Sequence, residues 1–179
     1  MEKNNPSFSI IELPPARWKE FKALRLHALK NDPAAFGSSY REMASEPDAM
    51  WVKELNESKI GKKIKYFFAE NHKLQVIGMI GVWFQQKEKL RHRAKLNAFF
   101  VTKNSRGHGV GEALMKTAIQ FLKGKRQYIK KIDSSVNKSQ ATSLKAHLKQ
   151  GFRVIGLATK EIKIKSKYYD QFILEKILS

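Results

Sequence analysis

The feature that most constrains this chain is a glycine-rich segment between an apolar strand pattern and a helical pattern. It reads Val-Thr-Lys-Asn-Ser-Arg-Gly-His-Gly-Val-Gly-Glu from Val101 to Glu112. Glycine tolerates positive φ and lets a ligand come close to the backbone. The first turn of the following helix leaves N–H groups unpaired at the positive end of the helix dipole. We therefore expect this segment to bind a diphosphate.

Two well-known phosphate-binding motifs do not fit the segment. A P-loop needs Gly-Lys-Ser/Thr after four spacer residues, and a Rossmann fingerprint needs a small residue at the position of Glu112. The pattern that remains is Arg-x-x-Gly-x-Gly, formed by Arg106, Gly109 and Gly111. Because a strand precedes it and a helix follows it, this pattern favours a ligand site over a ligand-free glycine-rich helix start.

Hydrophobic periodicity predicts the other elements. Apolar residues at helical spacing indicate two helical regions before the first strands, and Pro47 breaks the second. The predicted helices cover residues 14–31, 34–55, 110–124 and 139–150, and the predicted strands cover residues 64–68, 74–85, 94–101, 128–136, 152–158 and 162–178. The order α-α-β-β-β-α-β-α-β-β indicates the α+β class, because it lacks the strict βαβ alternation of a doubly wound sheet.

The chain is strongly basic. It has 35 Lys and Arg residues against 16 Asp and Glu residues, which gives a formal net charge of +19 at pH 7. A positive field of this size favours polyanions, namely nucleic acid, an anionic membrane surface or a phosphorylated ligand.

Other residue patterns exclude whole classes of protein. None of the 179 residues is cysteine, which excludes a disulfide framework, a thiolate metal site and a cysteine nucleophile. The five histidines lack the spacing of metal ligands, so we expect no metal site. The first seven residues do not resemble a signal peptide, and the apolar run at residues 76–84 is shorter than the roughly 20 residues of a membrane-spanning helix. We therefore expect a single cytoplasmic domain.

The strand, the Arg-x-x-Gly-x-Gly loop and the helix together resemble the coenzyme-A-binding signature of the GNAT superfamily, the acetyl-coenzyme-A-dependent N-acetyltransferases. A later segment, residues 136–152, is similar to that family's pattern of Val-Asn-x-x-Asn, Ala, Leu-Tyr and Gly-Phe. Residues 24–40 and 167–171 look like the acceptor-side helices and the last strand of one GNAT subset. The resemblance covers roughly residues 8–178.

This resemblance implies a GNAT-type fold for residues 1–179 as a single N-acetyltransferase domain. The fold is a mostly antiparallel mixed sheet of about seven strands with helices on both faces. The implied function is transfer of an acetyl group from acetyl-coenzyme A to a primary amine of a small molecule, peptide or protein, by direct attack in a ternary complex.

The resemblance also assigns residues to the acetyl-coenzyme A that serves as donor substrate. Backbone N–H groups of residues 106–111 are expected to bind the diphosphate, and a backbone N–H of Phe100 or Val101 to face the thioester oxygen. Gln140 replaces the family's Asn and is expected to hydrogen-bond the pantetheine amides. The expected donor-binding residues are Phe99, Phe100, Val101, Arg106, Gly107, His108, Gly109, Val110, Gly111, Glu112, Asn137 and Gln140.

The catalytic groups are less completely defined by the sequence. His147 occupies the position of the family's Tyr and is the expected general acid, because imidazole can donate a proton near neutral pH. Tyr168 and Tyr169 are the alternative acids. The strand that carries a Glu in some relatives offers no carboxylate here, so the base is either a water relay or a Glu from elsewhere, such as Glu70.

The expected partner is an amine acceptor, and we expect no membrane partner. The sequence does not decide whether the chain forms a homodimer. Because the chain is so basic, acidic or neutral acceptors should gain from electrostatic steering, and polycations should be disfavoured. The alternative function is a basic nucleic-acid- or anion-binding module with a vestigial cofactor pocket.

Overall fold

The structure, a computed structural model, describes residues 8–125 and 127–178, which form a seven-stranded sheet covered by helices. Its elements are, in chain order, β1 (Phe8–Ile11), α1 (Trp18–Asn31), α2 (Tyr40–Ser45), α3 (Asp48–Ile60), β2 (Ile64–Asn71), β3 (Val76–Phe84), β4 (Arg93–Val101), α4 (Val110–Gly124), β5 (Lys131–Asn137), α5 (Ala141–Lys149), β6 (Arg153–Ile164) and β7 (Lys167–Ile177).

The sheet is mixed and mostly antiparallel, with the strand order β1-β2-β3-β4-β5-β7-β6. The pairing of β4 with β5 is parallel, and the other five neighbouring pairs are antiparallel. This agrees with the predicted α+β fold. The parallel pair lies in the middle of the sheet and becomes important for the site below.

Helices pack on both faces of the sheet, as predicted, and each face has its own apolar core. On one face, α1 and α3 contribute residues such as Phe21, Leu24, Trp51 and Leu55. On the other face, α4 contributes Leu114, Met115, Ala118 and Leu122, and α5 adds partly buried Leu144 and Ala146. Alternation along the strands supplies both cores, because successive side chains point to opposite faces.

Two features of the sheet differ from the prediction. The order predicted from the sequence begins with a helix and omits β1, whose four residues are too few to show a clear period. The strand predicted over residues 152–158 continues to Ile164, so residues 162–164 belong to β6 and not to the last strand. The register shift between Ala158 and Ile162, with Lys160 at φ 55°, interrupts the alternation that marks a strand in sequence.

Among the described residues, no helix has both the length and the apolar composition that crossing a membrane requires.

Candidate active site

The central strands β4 and β5 part along their length. They pair only where Arg93–Lys95 meets Lys131–Asp133, and their pairing stops beyond that point. A bulge in β4 explains the divergence, because the register against β3 shifts between Met79 and Gly81, and Ala98 has a φ of 52°. A bulge of this kind bends the strand and increases its twist.

A cavity of about 490 Å³ lies in this part of the molecule. It is lined by the turn after α1, the end of β4, the glycine-rich loop with the first turn of α4, and the first turns of α5. The lining residues are Asp32, Ala35, Phe36, Phe99, Phe100, Val101, Arg106, Gly107, Gly109, Val110, Gly111, Glu112, Ser139, Gln140, Ala141, Thr142, Ser143 and Ala146. Most of the residues predicted to bind the donor therefore meet around one cavity.

The glycines of the loop serve different purposes. Gly107 and Gly109 have φ values of 82° and 81°, which other residues rarely adopt, although there is open space for a side chain at both positions. Gly111 instead lacks room, because a Cβ there would lie 3.1 Å from Cζ of Phe99. α4 begins directly after Gly109 without a side-chain cap, so N–H groups of its first turn are left for an anionic ligand.

Arg106 connects two sides of the cavity. Its Nε donates a hydrogen bond to the carbonyl oxygen of Val101 at 2.9 Å, and its Nη2 lies 2.6 Å from Oδ2 of Asp32. The guanidinium carbon is 5.6 Å from the centre of the Phe100 ring. The side chain therefore ties the glycine loop to the end of α1.

His147 lies in the core beside the cavity. Its side chain is only 2% exposed, and its ring packs edge-on against Phe99 and Phe152. Nδ1 lies 2.8 Å from the carbonyl oxygen of Ser143, to which it must donate, and Nε2 lies 2.9 Å from Oγ of Ser134. Burial lowers the pKa of His147. The imidazole is therefore neutral near pH 7, and Nε2 accepts a hydrogen bond from the hydroxyl group of Ser134.

Two of the residues predicted to bind the donor, Asn137 and His108, do not line the cavity. Asn137 is 2% exposed, donates from Nδ2 to the carbonyl oxygen of Ala34 at 2.9 Å, and accepts from the N–H and hydroxyl of Ser139. It thereby fastens the end of β5 to the turn after α1. His108 is exposed within the glycine loop.

The alternative catalytic groups named from the sequence lie in other surroundings. Tyr168 is 48% exposed and pairs with Lys163 across the β6–β7 hairpin, and Tyr169 is its neighbour on β7. Glu70 forms an ion pair with Arg17 at the far end of β2. None of the three is among the described residues that line the cavity.

A polar cluster that the sequence did not reveal lies on the face covered by α1 and α3. Tyr66 donates a hydrogen bond from Oη to Oε2 of Glu54 at 3.1 Å, and burial raises the pKa of Glu54. Within the described part of the chain, three side-chain nitrogens are buried without a hydrogen-bond partner, namely Nη1 of Arg25, Nε1 of Trp51 and Nδ2 of Asn97. The sequence carried one signal for these side chains, a charged residue on the buried face of each helix. These residues are Arg25, one turn after Phe21 in α1, and Glu54, beside Leu55 in α3.

Other cavity residues were also missed. Asp32, Ala35 and Phe36 come from the turn after α1, Ser139 precedes α5, and Ala141, Thr142, Ser143 and Ala146 come from α5 itself. The N-terminal turn of α5 was a visible signal, because its small residues follow Gln140 directly in sequence.

Solved structures with the same fold are numerous. An acetyltransferase of the GNAT family from Streptococcus pneumoniae superposes with a TM-score of 0.84 at 18% identity, over 96% of this chain and 99% of that chain. A ribosomal-protein-alanine N-acetyltransferase from Brucella melitensis gives a TM-score of 0.77 at 22% identity, over 95% and 99%. The protein yncA from Salmonella typhimurium, solved with its cofactor acetyl-CoA, gives a TM-score of 0.81 at 14% identity, over 96% of this chain and 94% of that chain.

Sequence comparison identifies the family directly. No curated protein sequence matches this chain. The profile of the acetyltransferase (GNAT) family, however, matches residues 22–152, which include most of α1, strands β2 to β5, the glycine loop and α5. This match confirms the resemblance drawn from the sequence motifs, and the chain belongs to the GNAT family of acetyltransferases.

Proposed function

We propose that this protein is an N-acetyltransferase that transfers the acetyl group of acetyl-coenzyme A to a primary amine of a small molecule, peptide or protein. The observation that carries the proposal is the cavity beside the parted strands β4 and β5, bounded by the glycine loop and the uncapped start of α4. We further propose that residues 1–179 form one such domain, since all seven strands belong to a single sheet.

The residues present suit acetyl-coenzyme A. The cavity volume of about 490 Å³ falls in the usual range for small-molecule sites, about 300 to 1,000 Å³. The start of α4 and the left-handed Gly107 and Gly109 offer backbone N–H groups to a diphosphate. When bound, acetyl-coenzyme A would supply the acetyl thioester that reacts with the amine.

Individual side chains would act as follows. Gln140 lines the cavity, where its amide can hydrogen-bond the amides of the pantetheine arm. Phe99 and Val101 form an apolar wall beside that arm. Asn137 would be a positioning residue, because its hydrogen bond to Ala34 keeps the turn after α1 against β5.

We propose a positioning role for His147 as well. Donation of a proton to a departing thiolate would require Nε2 to leave Ser134 and reach the cavity. The buried neutral ring instead supports Phe99, whose side chain lines the cavity. Direct attack by the amine is favoured over a cysteine-bound acetyl intermediate, because the sequence contains no cysteine.

Calorimetry with acetyl-coenzyme A tests the donor site. The proposal predicts one binding site per chain, with an affinity that weakens as salt rises because the diphosphate is anionic. Absence of binding at millimolar ligand would reject the proposal. Salt-sensitive binding of a DNA or RNA oligonucleotide without binding of acetyl-coenzyme A would favour the alternative function as a nucleic-acid-binding module.

A further inference from the structure

Three turns of the chain meet at one end of the sheet. The turn between α3 and β2 joins the end of β3 through the N–H of Phe84, which donates a hydrogen bond to the carbonyl oxygen of Lys63 at 2.9 Å. The turn between β3 and β4 joins the turn between α4 and β5 through the N–H of Lys130, which donates to the carbonyl oxygen of His92 at 2.8 Å. The three turns therefore lie side by side.

This end of the sheet is strongly basic. In these turns and the last turn of α4, the structure describes eight positively charged side chains, all of them exposed except Lys125, which is half-buried. They are Lys62, Lys63, Lys87, Lys89, Arg91, Lys123, Lys125 and Lys130, and we call them the basic end. The only acidic residue in the same described stretches is Glu88.

The charges of the basic end are not used inside the protein. Within the described part of the chain, none of the eight residues takes part in an ion pair. Arg93 and Lys131, which begin the neighbouring strands β4 and β5, by contrast pair with acidic residues of β5 and β7. Because clustered like charges repel one another, a set of free cations gains stability from an anionic partner.

Large apolar side chains are exposed beside these charges. Trp83 near the end of β3 is 46% exposed, Tyr128 in the turn before β5 is 72% exposed, and Ile60 at the end of α3 is 66% exposed. Two of these three side chains are aromatic rings, on which the bases of a single-stranded nucleic acid can stack. Phosphate-binding cations with aromatic rings between them favour such a strand over a membrane surface, which has no bases to stack.

The basic end lies at the opposite end of β4 from the cavity proposed to bind the donor. β4 begins at Arg93, beside the basic end, and finishes at Val101, which lines the cavity. At about 3.3 Å per residue, the strand separates the two regions by about 25 Å. None of the eight cations is among the described residues that line the cavity. The phosphates of acetyl-coenzyme A therefore do not account for these charges.

We propose that the basic end is a docking surface for single-stranded nucleic acid. Its cations contact the backbone phosphates, and Trp83 and Tyr128 stack on bases. The chain then has two separate sites, one for acetyl-coenzyme A and one for a polyanion, and part of its large positive charge serves the second. The inference stands on the basic end alone and does not depend on the proposed function.

Fluorescence anisotropy with labelled oligonucleotides tests this surface in the wild-type protein. The probes are single strands of RNA and of DNA with the same mixed sequence, and the DNA duplex of that sequence. With about five phosphates contacted, the affinity for a single strand should fall about 100-fold between about 50 and 200 mM salt. The duplex should bind at least about fivefold more weakly, because its bases are not free to stack.

Binding of either single strand in this way supports the proposal, and the tighter of the two identifies the preferred nucleic acid. Duplex binding that equals or exceeds single-strand binding would overturn it. Co-sedimentation with vesicles of phosphatidylserine and phosphatidylcholine provides the membrane comparison. Binding to these vesicles without binding to either single strand would also overturn the proposal.

A triple variant locates the docking surface. Lys63→Gln, Lys89→Gln and Lys130→Gln remove one positive charge from each of the three turns. Together they should weaken single-strand binding at least about tenfold and reduce the slope of log affinity against log salt by about two.

The matched control is a second triple variant with the same change of charge. Lys73→Gln, Lys145→Gln and Lys167→Gln alter exposed lysines on other elements, and binding should stay within about threefold of the wild type. Equal losses in the two triple variants would reveal a general attraction to a positive chain and would reject the docking surface.

Tyr128→Ala separates stacking from charge. Loss of one stacking ring should weaken single-strand binding about fivefold or more and leave the salt slope unchanged, because no charge is removed. Tyr40→Ala is the matched control, since Tyr40 is 46% exposed and belongs to α2, which contributes nothing to the three turns. Wild-type affinity in Tyr128→Ala would contradict the proposed stacking.

Acetyl-coenzyme A tests the separation of the two sites. At saturation it should change the Kd of the single strand less than about twofold, because the two sites lie at opposite ends of β4. Displacement of the oligonucleotide would place it in the cavity proposed for the donor and would reject the docking surface. If acetyl-coenzyme A does not bind at all, the proposed function fails, while the variants still decide this inference.

Discussion

Nη2 of Arg106 lies 2.6 Å from Oδ2 of Asp32, and this ion pair joins the glycine loop to the end of α1 beside the cavity proposed to bind the donor. Asp32 places a negative charge among the residues that would surround an anionic diphosphate. The pair engages one terminal nitrogen of the Arg106 guanidinium with a carboxylate of the protein itself. The positive charge of Arg106, the arginine of the Arg-x-x-Gly-x-Gly motif, is therefore partly neutralised by Asp32, which lies 74 residues away in sequence.

Asp32→Asn should strengthen the binding of acetyl-coenzyme A. Removal of the carboxylate releases Arg106 and removes a like charge from the site, which we expect to lower Kd about threefold at low salt. Asp48→Asn is a matched control, because Asp48 pairs with Lys22 on the surface away from the cavity. Calorimetry at two ionic strengths measures the effect, and weaker binding by Asp32→Asn would show that the carboxylate assists the donor.

Gly109→Ala should destabilise the glycine loop and weaken donor binding together. The left-handed conformation at φ 81° costs a residue with a Cβ about 1 to 2 kcal/mol. Gly124→Ala is the matched control, since Gly124 ends α4 at an ordinary φ with open space around it. Urea unfolding and calorimetry give the two readouts. Unchanged stability and affinity in Gly109→Ala would mean that the loop does not need its left-handed turn.

The stability of the fold should decrease in acid because of His147. Burial lowers the pKa of His147 in the folded state below its ordinary value of 6.5. Below pH 6.5 the unfolded chain therefore binds a proton that the native chain does not, and stability falls with pH by up to about 1.4 kcal/mol per pH unit until the folded-state pKa is reached. Above pH 6.5 this contribution is constant.

Urea unfolding at pH 7.5 and at pH 5.5 measures this loss. His147→Gln should lose less stability than the wild type between the two pH values, whereas the exposed His72→Gln should lose as much as the wild type. An identical pH dependence in all three proteins would contradict the burial of a neutral imidazole.

Turnover distinguishes a positioning role of His147 from an acid role. A buried ring that supports Phe99 predicts that His147→Phe keeps kcat within about tenfold of the wild type and leaves the shape of the pH–rate profile unchanged. Loss of a general acid would instead lower kcat about 100-fold or more and remove one limb of the profile. Thiol-release rates across pH decide between the two.

The glycine loop and its place between a strand and a helix could be predicted from sequence because their information is local. Arg106, Gly109 and Gly111 lie within six residues of one another, and the strand and helix that flank them show clear periodicity. A turn that needs positive φ at fixed spacing is readable without knowledge of the tertiary structure. The family match and the seven-stranded sheet confirm the fold deduced in this way.

The surroundings of single side chains could not be predicted in the same way. The position of His147 in the helix follows from counting back from Gly151, but its contact with Ser134 depends on how α5 is rotated against β5. Asn137 likewise bonds to Ala34, a residue 103 positions earlier in the chain. These partners meet only after the sheet has formed.

The buried polar side chains on the face covered by α1 and α3 were invisible for a similar reason. Arg25, Glu54, Tyr66 and Asn97 come from four separate elements, and no spacing in the sequence relates them. A charged residue within a buried helix face was the only trace, and periodicity treats it as an exception to the apolar pattern.

The most direct test of the central claim is the release of free thiol from acetyl-coenzyme A in the presence of amines, with the acetylated product identified by mass spectrometry. The panel comprises amino acids, aminoglycosides, polyamines and lysine peptides. We predict thiol release that requires an added primary amine and matches the N-acetylated product one to one, with an acidic or neutral acceptor preferred over polyamines. Thiol release that is absent with every amine, or that proceeds at the same rate without one, would contradict the account.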